Sequence, residues 1–379
     1  MTAACDVLVI GVGGVGAAAL RHLAKRGVRA IGIERFEIAH GRGSSHGETR
    51  VIRQAYFEHP DYVPLLRSAY RLWDELATEA GRPLFRRCGL ILSGPPEGEV
   101  IAGSRSAAGR HDIPIESLDR DSAATRFRRF RFPEGHRIVF EPGAGYLLVE
   151  ECVRAHAEAA VRLGAKVRTG ETVLGWSADA SGVRVRTDRG EYVAGSAVVT
   201  AGAWAAGLLT DLAAPLTVLR KVTTWHRVPE GFGPDDGTPT YLFDLGGRCF
   251  YGFPSLDGRT IKVAEHTGGE PVADPLTVDR SLRPEDAAPL ADFLRAALPA
   301  ADPEPVRHSV CLYTMSPDGH FLVGRRPDAP VAFAAGLSGH GFKFAPVLGE
   351  ALADLALDGR TRHPVGFLSP ERFGPPGRP

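Results

Sequence analysis

The sequence predicts a protein of the α/β (α+β) class, and two observations support that prediction. The first is the order of elements within residues 6–34: an apolar β-branched run, a glycine-rich turn, an alanine-rich helical segment and a second apolar run. Parallel strands buried on both faces and joined through a helix have this pattern. The second is the stretch 216–310, in which β-type runs alternate with turn residues, as is typical of antiparallel strands. The chain therefore combines a parallel part with an antiparallel part.

The glycine-rich turn is the most specific of these elements. The predicted strand Asp6–Ile10 leads into Gly11-Val-Gly-Gly-Val-Gly16, then a helix at Ala17–Arg26 and a strand at Val28–Glu34. In a GxGxxG turn placed between a strand and a helix, Gly11, Gly13 and Gly16 let the backbone approach a pyrophosphate at the helix N-terminus. Glu34 follows at the distance expected of an acid that accepts hydrogen bonds from a ribose. The pattern predicts a Rossmann-type dinucleotide-binding unit, and the alternative is a glycine-rich turn without a ligand.

Later segments extend the same unit. We expect helices at Glu151–Leu163 and Pro346–Leu357, a hairpin from Gly182–Thr187 and Glu191–Val193, and strands at Ala165–Arg168, Ala197–Thr200 and Val331–Ala335. Between them, strands are expected at Thr223–Val228, Tyr241–Asp244, Cys249–Pro254 and Thr260–Ala264. We therefore assign residues 1–80, 141–215 and 311–379 to a discontinuous dinucleotide-binding domain. Residues 81–140 and 216–310 are assigned to an inserted, mostly antiparallel β-sheet domain that binds the substrate.

The composition argues against several classes of protein. The 379 residues carry 45 basic and 45 acidic side chains, a balance that disfavours a nucleic-acid-binding protein. No apolar run reaches the length of a membrane span, and Met1–Ile10 lacks the features of a signal peptide. The cysteines are scattered and form no CxxC pair, which favours neither a disulfide framework nor a zinc site; they are Cys5, Cys88, Cys152, Cys249 and Cys311. We expect a cytoplasmic protein with no metal, nucleic-acid or membrane partner.

Three polar constellations are candidates for a functional site. The loop Gly43–Arg50, with Arg53 beyond it, combines phosphate-wrapping glycines and small polar residues with two arginines that share a face. On a strand at Ile261–His266, Lys262 and His266 would point to one side and flank a single cavity. In Ser338–Phe344, glycines beside Lys343 precede a helix, which suits an anion or a flat cofactor edge. A solvated loop and an exposed strand face are the alternatives for the first two.

Several sequence blocks resemble the monomeric sarcosine oxidase and N-methyltryptophan oxidase family, a branch of the D-amino-acid-oxidase-like flavoproteins. They are VIGVGGVGAAAL near the N-terminus, SSHGETRVIRQAY (Ser44–Tyr56), VVTAGAW (Val198–Trp204), FYGFPS (Phe250–Ser255), IKVAEH, CLYTMSPDGHF (Cys311–Phe321) and AAGLSGHGFKF (Ala334–Phe344). They occur in the family's order from residue 6 to the helix after Pro346. The cysteine block and SGHGFKF are specific to this branch, whereas GxGxxG and GAW are common among flavoproteins.

The resemblance implies a Rossmann-type FAD-binding domain with an inserted β-sheet domain, and it implies roles for individual residues. Cys311 is the expected covalent attachment point for the 8α-methyl of FAD. Lys262 is expected to activate dioxygen, and Arg50 to lie against the opposite face of the flavin. Arg53 and Lys343 would bind the substrate carboxylate, while His266 and Tyr251 would line the pocket around the amine. Other expected contacts of the FAD are Gly11, Gly13, Gly16, Glu34, Ser45, Thr49, Arg50, Val173, Gly339, Gly341 and Lys343.

The implied activity is oxidation of the C–N bond of a secondary or cyclic amino acid to an imine, with dioxygen reduced to hydrogen peroxide by a monomeric enzyme. The substrate is sarcosine-like, a cyclic imino acid, or a tailoring substrate from a biosynthetic pathway. The alternatives are a dehydrogenase of the same fold with another electron acceptor, a flavin-binding protein without turnover, and a nicotinamide dehydrogenase. The segments Gly81–Arg137 and Leu216–Phe243, with Trp225, His226 and Phe243, match no block of the family, and we expect them to shape the substrate side-chain pocket.

Overall fold

The protein is described by a computed structural model that covers residues 2–179, 182–210, 212 and 214–374. The helices are α1 (Gly14–Lys25), α2 (Val63–Ala80), α3 (Glu99–His111), α4 (Arg120–Arg126), α5 (Val149–Arg162), α6 (Pro284–Ala297) and α7 (Ala345–Asp358). The strands are β1 (Thr2–Ile10), β2 (Ala30–Ile33), β3 (Thr49–Ile52), β4 (Phe85–Arg87), β5 (Leu90–Gly94), β6 (Glu116–Leu118), β7 (Arg137–Glu141), β8 (Gly145–Leu148), β9 (Lys166–Arg168), β10 (Val173–Asp179), β11 (Gly182–Thr187), β12 (Glu191–Val199), β13 (Thr217–Arg227), β14 (Thr240–Asp244), β15 (Cys249–Gly252), β16 (Thr260–Glu265), β17 (Glu270–Pro271), β18 (Pro305–Met315), β19 (Leu322–Arg325) and β20 (Val331–Ala335). Within these ranges no helix is long and apolar enough to cross a membrane.

The first sheet is built on a parallel core. Its central order is β20-β12-β1-β2-β9, and every neighbouring pair in that row runs parallel. The antiparallel hairpin of β10 and β11 continues from the first half of β12, and β19 pairs antiparallel with β20. Because the parallel strands end at one edge, the turns that follow β1, β2, β12 and β20 meet there.

The second sheet is antiparallel apart from one pair. Its order is β17-β13-β16-β15-β14-β5-β7-β6, with β18 also paired to β13, and only β14 and β5 run parallel. A third, small antiparallel sheet has the order β3-β8-β4. This confirms the predicted combination of a parallel and a mostly antiparallel part. The predicted domain boundary between residues 310 and 311 falls inside β18, so the second sheet extends to Met315.

Most predicted elements lie within a few residues of their observed bounds, with one substantive difference. We predicted a hairpin strand at Glu191–Val193 and a separate buried strand at Ala197–Thr200. The structure instead has the single strand β12, which pairs with β11 through its first half and with β20 through its second half. The exposed Gly195 interrupts the apolar pattern, but β12 stays continuous because its whole length pairs with β1 on the other edge.

Close packing around α1 fixes the parallel core. Every residue from Gly14 to Ala24 is buried, because α1 packs against α5 and α7 as well as against the sheet. Gly349 of α7 is the point of closest approach: a Cβ there would lie 2.6 Å from the Ala18 Cβ and 2.6 Å from the Ala19 nitrogen. Interiors packed this densely accommodate extra methyl groups poorly.

We predict that Gly349→Ala lowers stability, because the added methyl forces α7 away from α1. Overpacking of this kind costs about 1–3 kcal/mol, which lowers the thermal unfolding midpoint by several degrees. The matched control is Gly109→Ala in α3, where an added Cβ meets nothing within 4 Å. There alanine favours the helix by roughly 0.5–1 kcal/mol. Equal midpoints for the two variants would refute the packing argument.

Candidate active site

A cavity of about 1370 Å³, including its part open to solvent, lies at the carboxyl edge of the parallel strands. The turn after β1, the end of β2, the loop 39–45 and the segments after β12 and β20 all contribute to it. Of the residues expected to contact FAD, those that line it are Gly11, Gly13, Glu34, Ser45, Arg50, Val173, Gly339 and Gly341. An open-sheet fold places its dinucleotide at this position.

The glycine turn leaves backbone groups of α1 facing this cavity. Gly11 has φ +87°, and a Cβ there would lie 2.7 Å from the Thr200 carbonyl oxygen. The N-cap residue of α1, Gly13, has no side chain to cap the helix. The N–H of the next residue, Gly14, donates instead to the Ser45 Oγ at 3.2 Å. Gly16 does not line the cavity. It faces the turn instead, because a Cβ there would lie 1.9 Å from the Gly11 carbonyl oxygen. It therefore packs the helix against the turn.

Glu34 closes the adjoining end of the cavity and is 5% exposed. Its carboxylate accepts from the Val12 N–H at 2.8 Å and the Phe36 N–H at 3.1 Å, and His40 Nε2 lies 3.3 Å away. Burial opposes its ionisation, but these donors hold the pKa of Glu34 below its ordinary value. The fixed carboxylate keeps acceptor capacity for hydroxyl groups in the cavity.

The walls of this cavity fit a dinucleotide such as FAD. The glycine turn brings backbone without side chains to the cavity at Gly11 and Gly13. The N-terminus of α1 adjoins it, where positive partial charge and free N–H groups suit a pyrophosphate. The buried Glu34 supplies acceptors for hydroxyl groups at the other end.

A second cavity of about 600 Å³ shares a wall with the first. Arg50, Tyr313, Gly339 and Phe342 line both cavities. The other predicted site residues that line the second cavity are Arg53, Tyr251, His266 and Lys343. The structure therefore brings together the four residues predicted to bind the substrate, with Arg50 beside them, next to the dinucleotide cavity.

Glu58 is the main residue of this cavity that sequence reasoning missed. Its carboxylate accepts from Arg53 Nη2 at 2.6 Å, while Arg53 Nη1 donates to the Ala55 carbonyl at 2.9 Å. Burial opposes ionisation of Glu58, but Arg53, His340 and Lys343 lower its pKa to about 2. Glu58 is an ordinary acid in the sequence, and its spacing of five residues from Arg53 on an irregular segment gives no signal of pairing.

The basic groups of the cavity differ in charge at neutral pH. Burial lowers the pKa of Lys343 to about 7, with Arg53 acting in the same direction and Glu58 opposing. Burial likewise lowers the pKa of His266 to about 4, so its imidazole is neutral at pH 7. Lys343 Nζ donates to the His340 carbonyl at 2.8 Å, which leaves two of its hydrogens for a ligand. The second cavity therefore carries a net positive charge, which suits a ligand with an anionic group.

Lys262 and His266 line different cavities. Lys262 lines neither of the two cavities but a third cleft of about 1000 Å³, together with Glu48, Glu150 and Trp225. Its Nζ donates to the carbonyls of Gly47 at 2.6 Å and Thr49 at 2.7 Å. The prediction that Lys262 and His266 flank a single cavity is therefore wrong. His266 lies just beyond the end of β16, and the loop Gly47–Thr49 separates the Lys262 ammonium from the second cavity.

Four other expected FAD contacts also lie away from the first cavity: Gly16, Thr49, Cys311 and Lys343. The Cys311 thiol is buried directly behind it, where Arg50 Nη2 donates to Sγ at 3.3 Å, while its neighbours Leu312 and Tyr313 line the cavity. Thr49 contributes its carbonyl to Lys262 and to Arg50 Nη1.

The segments that match no family block contribute to the second cavity through other residues than expected. Leu90 and Leu242 line it, but Trp225, His226 and Phe243 do not. Trp225 Nε1 donates to Glu48, His226 Nδ1 contacts the Asp302 carbonyl, and Phe243 packs in an aromatic core with Phe293. In strands the two faces alternate, so Leu242 and Phe243 point to opposite sides. The residues on the cavity side could not be chosen from the sequence.

Known proteins are similar to this chain in sequence and in fold. The family model described as FAD dependent oxidoreductase matches residues 6–355. Monomeric sarcosine oxidase of Streptomyces avermitilis is 41% identical and covers 98% of this chain and 99% of its own. N-methyl-L-tryptophan oxidase of Yersinia pestis is 35% identical, with 97% and 99% covered. Among solved structures, NikD, an amino acid oxidase essential for nikkomycin biosynthesis, has a TM-score of 0.84 at 27% identity, with 97% of this chain and 98% of its own covered.

We predict that Glu58→Gln destabilises the protein by about 3–5 kcal/mol, because it leaves the Arg53 cation buried without its partner. Since the folded-state pKa of Glu58 is lowered from 4.5 to about 2, the pair stabilises the fold fully above pH 4.5 and loses that contribution as the pH falls towards 2. Chemical unfolding at several pH values measures both effects. The exposed Glu97→Gln is the control. If the stability of Glu58→Gln fell between pH 4.5 and 2 as steeply as that of the wild type, the pairing would be contradicted.

Proposed function

The chain belongs to the family of FAD-dependent oxidoreductases, and from this premise we propose that it is an amine oxidase. It oxidises the C–N bond of a secondary or cyclic amino acid to an imine and reduces dioxygen to hydrogen peroxide. One observation carries the proposal: Arg53 and Lys343 converge on a cavity that shares its wall with the dinucleotide cavity. Relatives named for sarcosine and N-methyl-L-tryptophan oxidation support the class of substrate.

FAD, when bound, accepts a hydride from the carbon next to the amine nitrogen and passes the electrons on. The residues that would hold it are those lining the first cavity: the glycine turn and the N-terminus of α1 for the pyrophosphate, and Glu34 for the ribose. Gly339 contributes by leaving room, since a Cβ there would lie 2.2 Å from the Tyr313 ring. Arg50 faces both cavities and therefore lies where cofactor and substrate meet.

The substrate carboxylate is bound by Arg53 and Lys343. Arg53 has five N–H donors, and Ala55 and Glu58 occupy only two of them. Because Glu58 already neutralises one cation, the remaining charge suits a single carboxylate. The neutral imidazole of His266 and the Tyr251 hydroxyl lie on the same cavity and are assigned to the amine. Because His266 is neutral, it adds no second positive charge next to Arg53 and the amine.

Dioxygen is assigned to Lys262. Burial and the neighbouring Arg50 hold the pKa of its ammonium well below the ordinary value, and Glu48 and Glu150 oppose that shift. Two carbonyl acceptors fix Nζ behind the loop that carries Arg50. In its protonated form, Lys262 would stabilise the negative charge that develops when electrons move to oxygen. Because Lys262 lies apart from Arg53 and Lys343, reoxidation by oxygen and reduction by the substrate are assigned to different residues.

We further propose covalent attachment of FAD at Cys311 and a monomeric protein that works in the cytoplasm. The position of the thiol behind the cavity wall, between Arg50 and the lining residue Leu312, supports attachment. Formation of the thioether removes one hydrogen from the thiol and one from the 8α-methyl, and dioxygen takes the two electrons and two protons. The word monomeric in the names of several relatives supports the oligomeric state.

The proposed function is tested by oxygen uptake and peroxide yield with a panel of N-methyl and cyclic amino acids under air. We expect at least one of them to be oxidised with one peroxide formed per oxygen consumed. Oxidation that proceeds with an artificial acceptor but yields no peroxide would identify a dehydrogenase. No oxidation of any member by the yellow protein would contradict the substrate class.

We predict that the flavin stays with the wild-type protein after acid precipitation. Its intact mass should exceed that of the polypeptide by one FAD less two hydrogens, whereas Cys311→Ala should release all its flavin into the supernatant. Cys249→Ala, at a half-buried thiol on β15, is the control and should retain it. Release of the colour from the wild type would disprove covalent attachment.

We predict that Lys262→Met slows reoxidation of the reduced enzyme by about 10²–10³, the usual cost of losing one electrostatic stabiliser. Anaerobic reduction by substrate should change far less, because Lys262 lies apart from the substrate cavity. Stopped-flow absorbance separates the two steps. Lys343→Met is the matched control and should show the opposite pattern. Reoxidation of Lys262→Met at the wild-type rate would assign oxygen activation to another cation.

A further inference from the structure

Lys221 is a buried lysine to which the proposed function gives no role. It lies on β13, directly opposite Cys311 of β18, and is 6% exposed. Its Nζ donates to three consecutive carbonyls, those of His266 at 3.1 Å, Thr267 at 2.6 Å and Gly268 at 3.0 Å. Burial lowers its pKa to about 8, with Glu265 and Cys311 opposing, so it is an ammonium at neutral pH.

The three acceptors form the turn that follows β16. Gly268 and Gly269 have φ values of +65° and +124°, which L side chains rarely adopt. These conformations turn successive carbonyls towards one point. A Cβ on Gly269 would lie 3.0 Å from Lys221 Cδ, so the turn wraps closely around the lysine stem. Because an ammonium carries three hydrogens on one atom, it matches three convergent carbonyls, which a planar guanidinium does not.

Lys221 also contacts Tyr313, which lines the substrate cavity. Its Nζ lies 5.4 Å from the centre of the Tyr313 ring, and the Tyr313 hydroxyl lies 3.4 Å from His266 Nδ1. His266 and Tyr313 both line the second cavity, and Tyr313 lines the first as well. Lys221 itself lines neither. One buried ammonium thus contacts two residues that face the reacting groups.

We propose that Lys221 is a positioning residue, which holds His266 through its carbonyl and Tyr313 through its ring, and so sets the geometry of the amine end of the substrate cavity. This inference rests on the proposed function for its catalytic consequence. Its structural part, the ordering of the turn 266–269, does not. A rigid supporting contact of this kind matters because displacements of about 1 Å at a reacting group cost up to about 100-fold in rate.

The test is Lys221→Met in the FAD-loaded protein, which keeps the length of the side chain and removes its three donors. Hydrogen exchange of the peptide covering residues 265–272 should accelerate by about tenfold or more, since hydrogen bonds to a charged group are lost. The dissociation constant of tetrahydrofuran-2-carboxylate, an unreactive carboxylate with a ring oxygen in place of the amine, should rise by about tenfold. Reoxidation of the reduced flavin, which depends on Lys262, should not change.

The control is Lys166→Met at an exposed position of β9, which should leave all three measurements at wild-type values. Where Lys221→Met does not fold, Lys221→Arg carries the test, since it keeps the charge but not the three-carbonyl geometry. Unchanged exchange and unchanged affinity in a folded variant would overturn the inference. Slower reoxidation of the flavin together with a lower thermal midpoint would overturn it too, because a general loss of this kind indicates a merely structural residue. A wild type that oxidises no amine refutes the proposed function, while the exchange measurement still decides the role of Lys221.

Discussion

The hydrogen bonds of Arg50 are the interaction on which the two halves of the site depend. Arg50 lies on β3 of the small sheet, and its guanidinium donates to the Ser44 and Thr49 carbonyls and to the Cys311 thiol. It thereby joins the loop that borders the dinucleotide cavity to β18 of the second sheet. Since Arg50 lines both cavities, this contact lies in the wall that the two cavities share.

The distribution of cations around Arg50 follows from this arrangement. Arg53 and Lys343 lie on the side of the substrate cavity, and Lys262 lies behind the loop Gly47–Thr49 on a separate cleft. The carboxylate of Glu58 lines the same cavity, pairs with Arg53 and reduces the positive charge of this group. Low-dielectric surroundings strengthen each of these interactions. The structure therefore keeps the Lys262 side chain and the pair Arg53 and Lys343 in separate cavities, as the proposed division between oxygen and substrate requires.

Local sequence patterns predicted the elements of this structure better than the convergence of its side chains. The GxGxxG turn, Glu34 and the strand Val331–Ala335 follow from short-range rules of backbone geometry, and the structure places all three at the carboxyl edge. The sides taken by Lys262 and Leu242, and the pairing of Glu58 with Arg53, depend on which strands meet across the second sheet. Those pairings are long-range, as when β14 runs parallel to β5, and no periodicity along the chain encodes them.

In the proposed function, the cationic cavity beside the dinucleotide site selects an amine by its carboxylate. Anaerobic bleaching of the flavin by an N-methyl amino acid that the enzyme oxidises, compared with bleaching by the same amine lacking its carboxylate, tests this selection. We expect rapid bleaching by the amino acid and bleaching slower by about 100-fold or more with the decarboxylated amine, as when a buried charge pair is lost. Equal rates of bleaching at equal concentrations would contradict it.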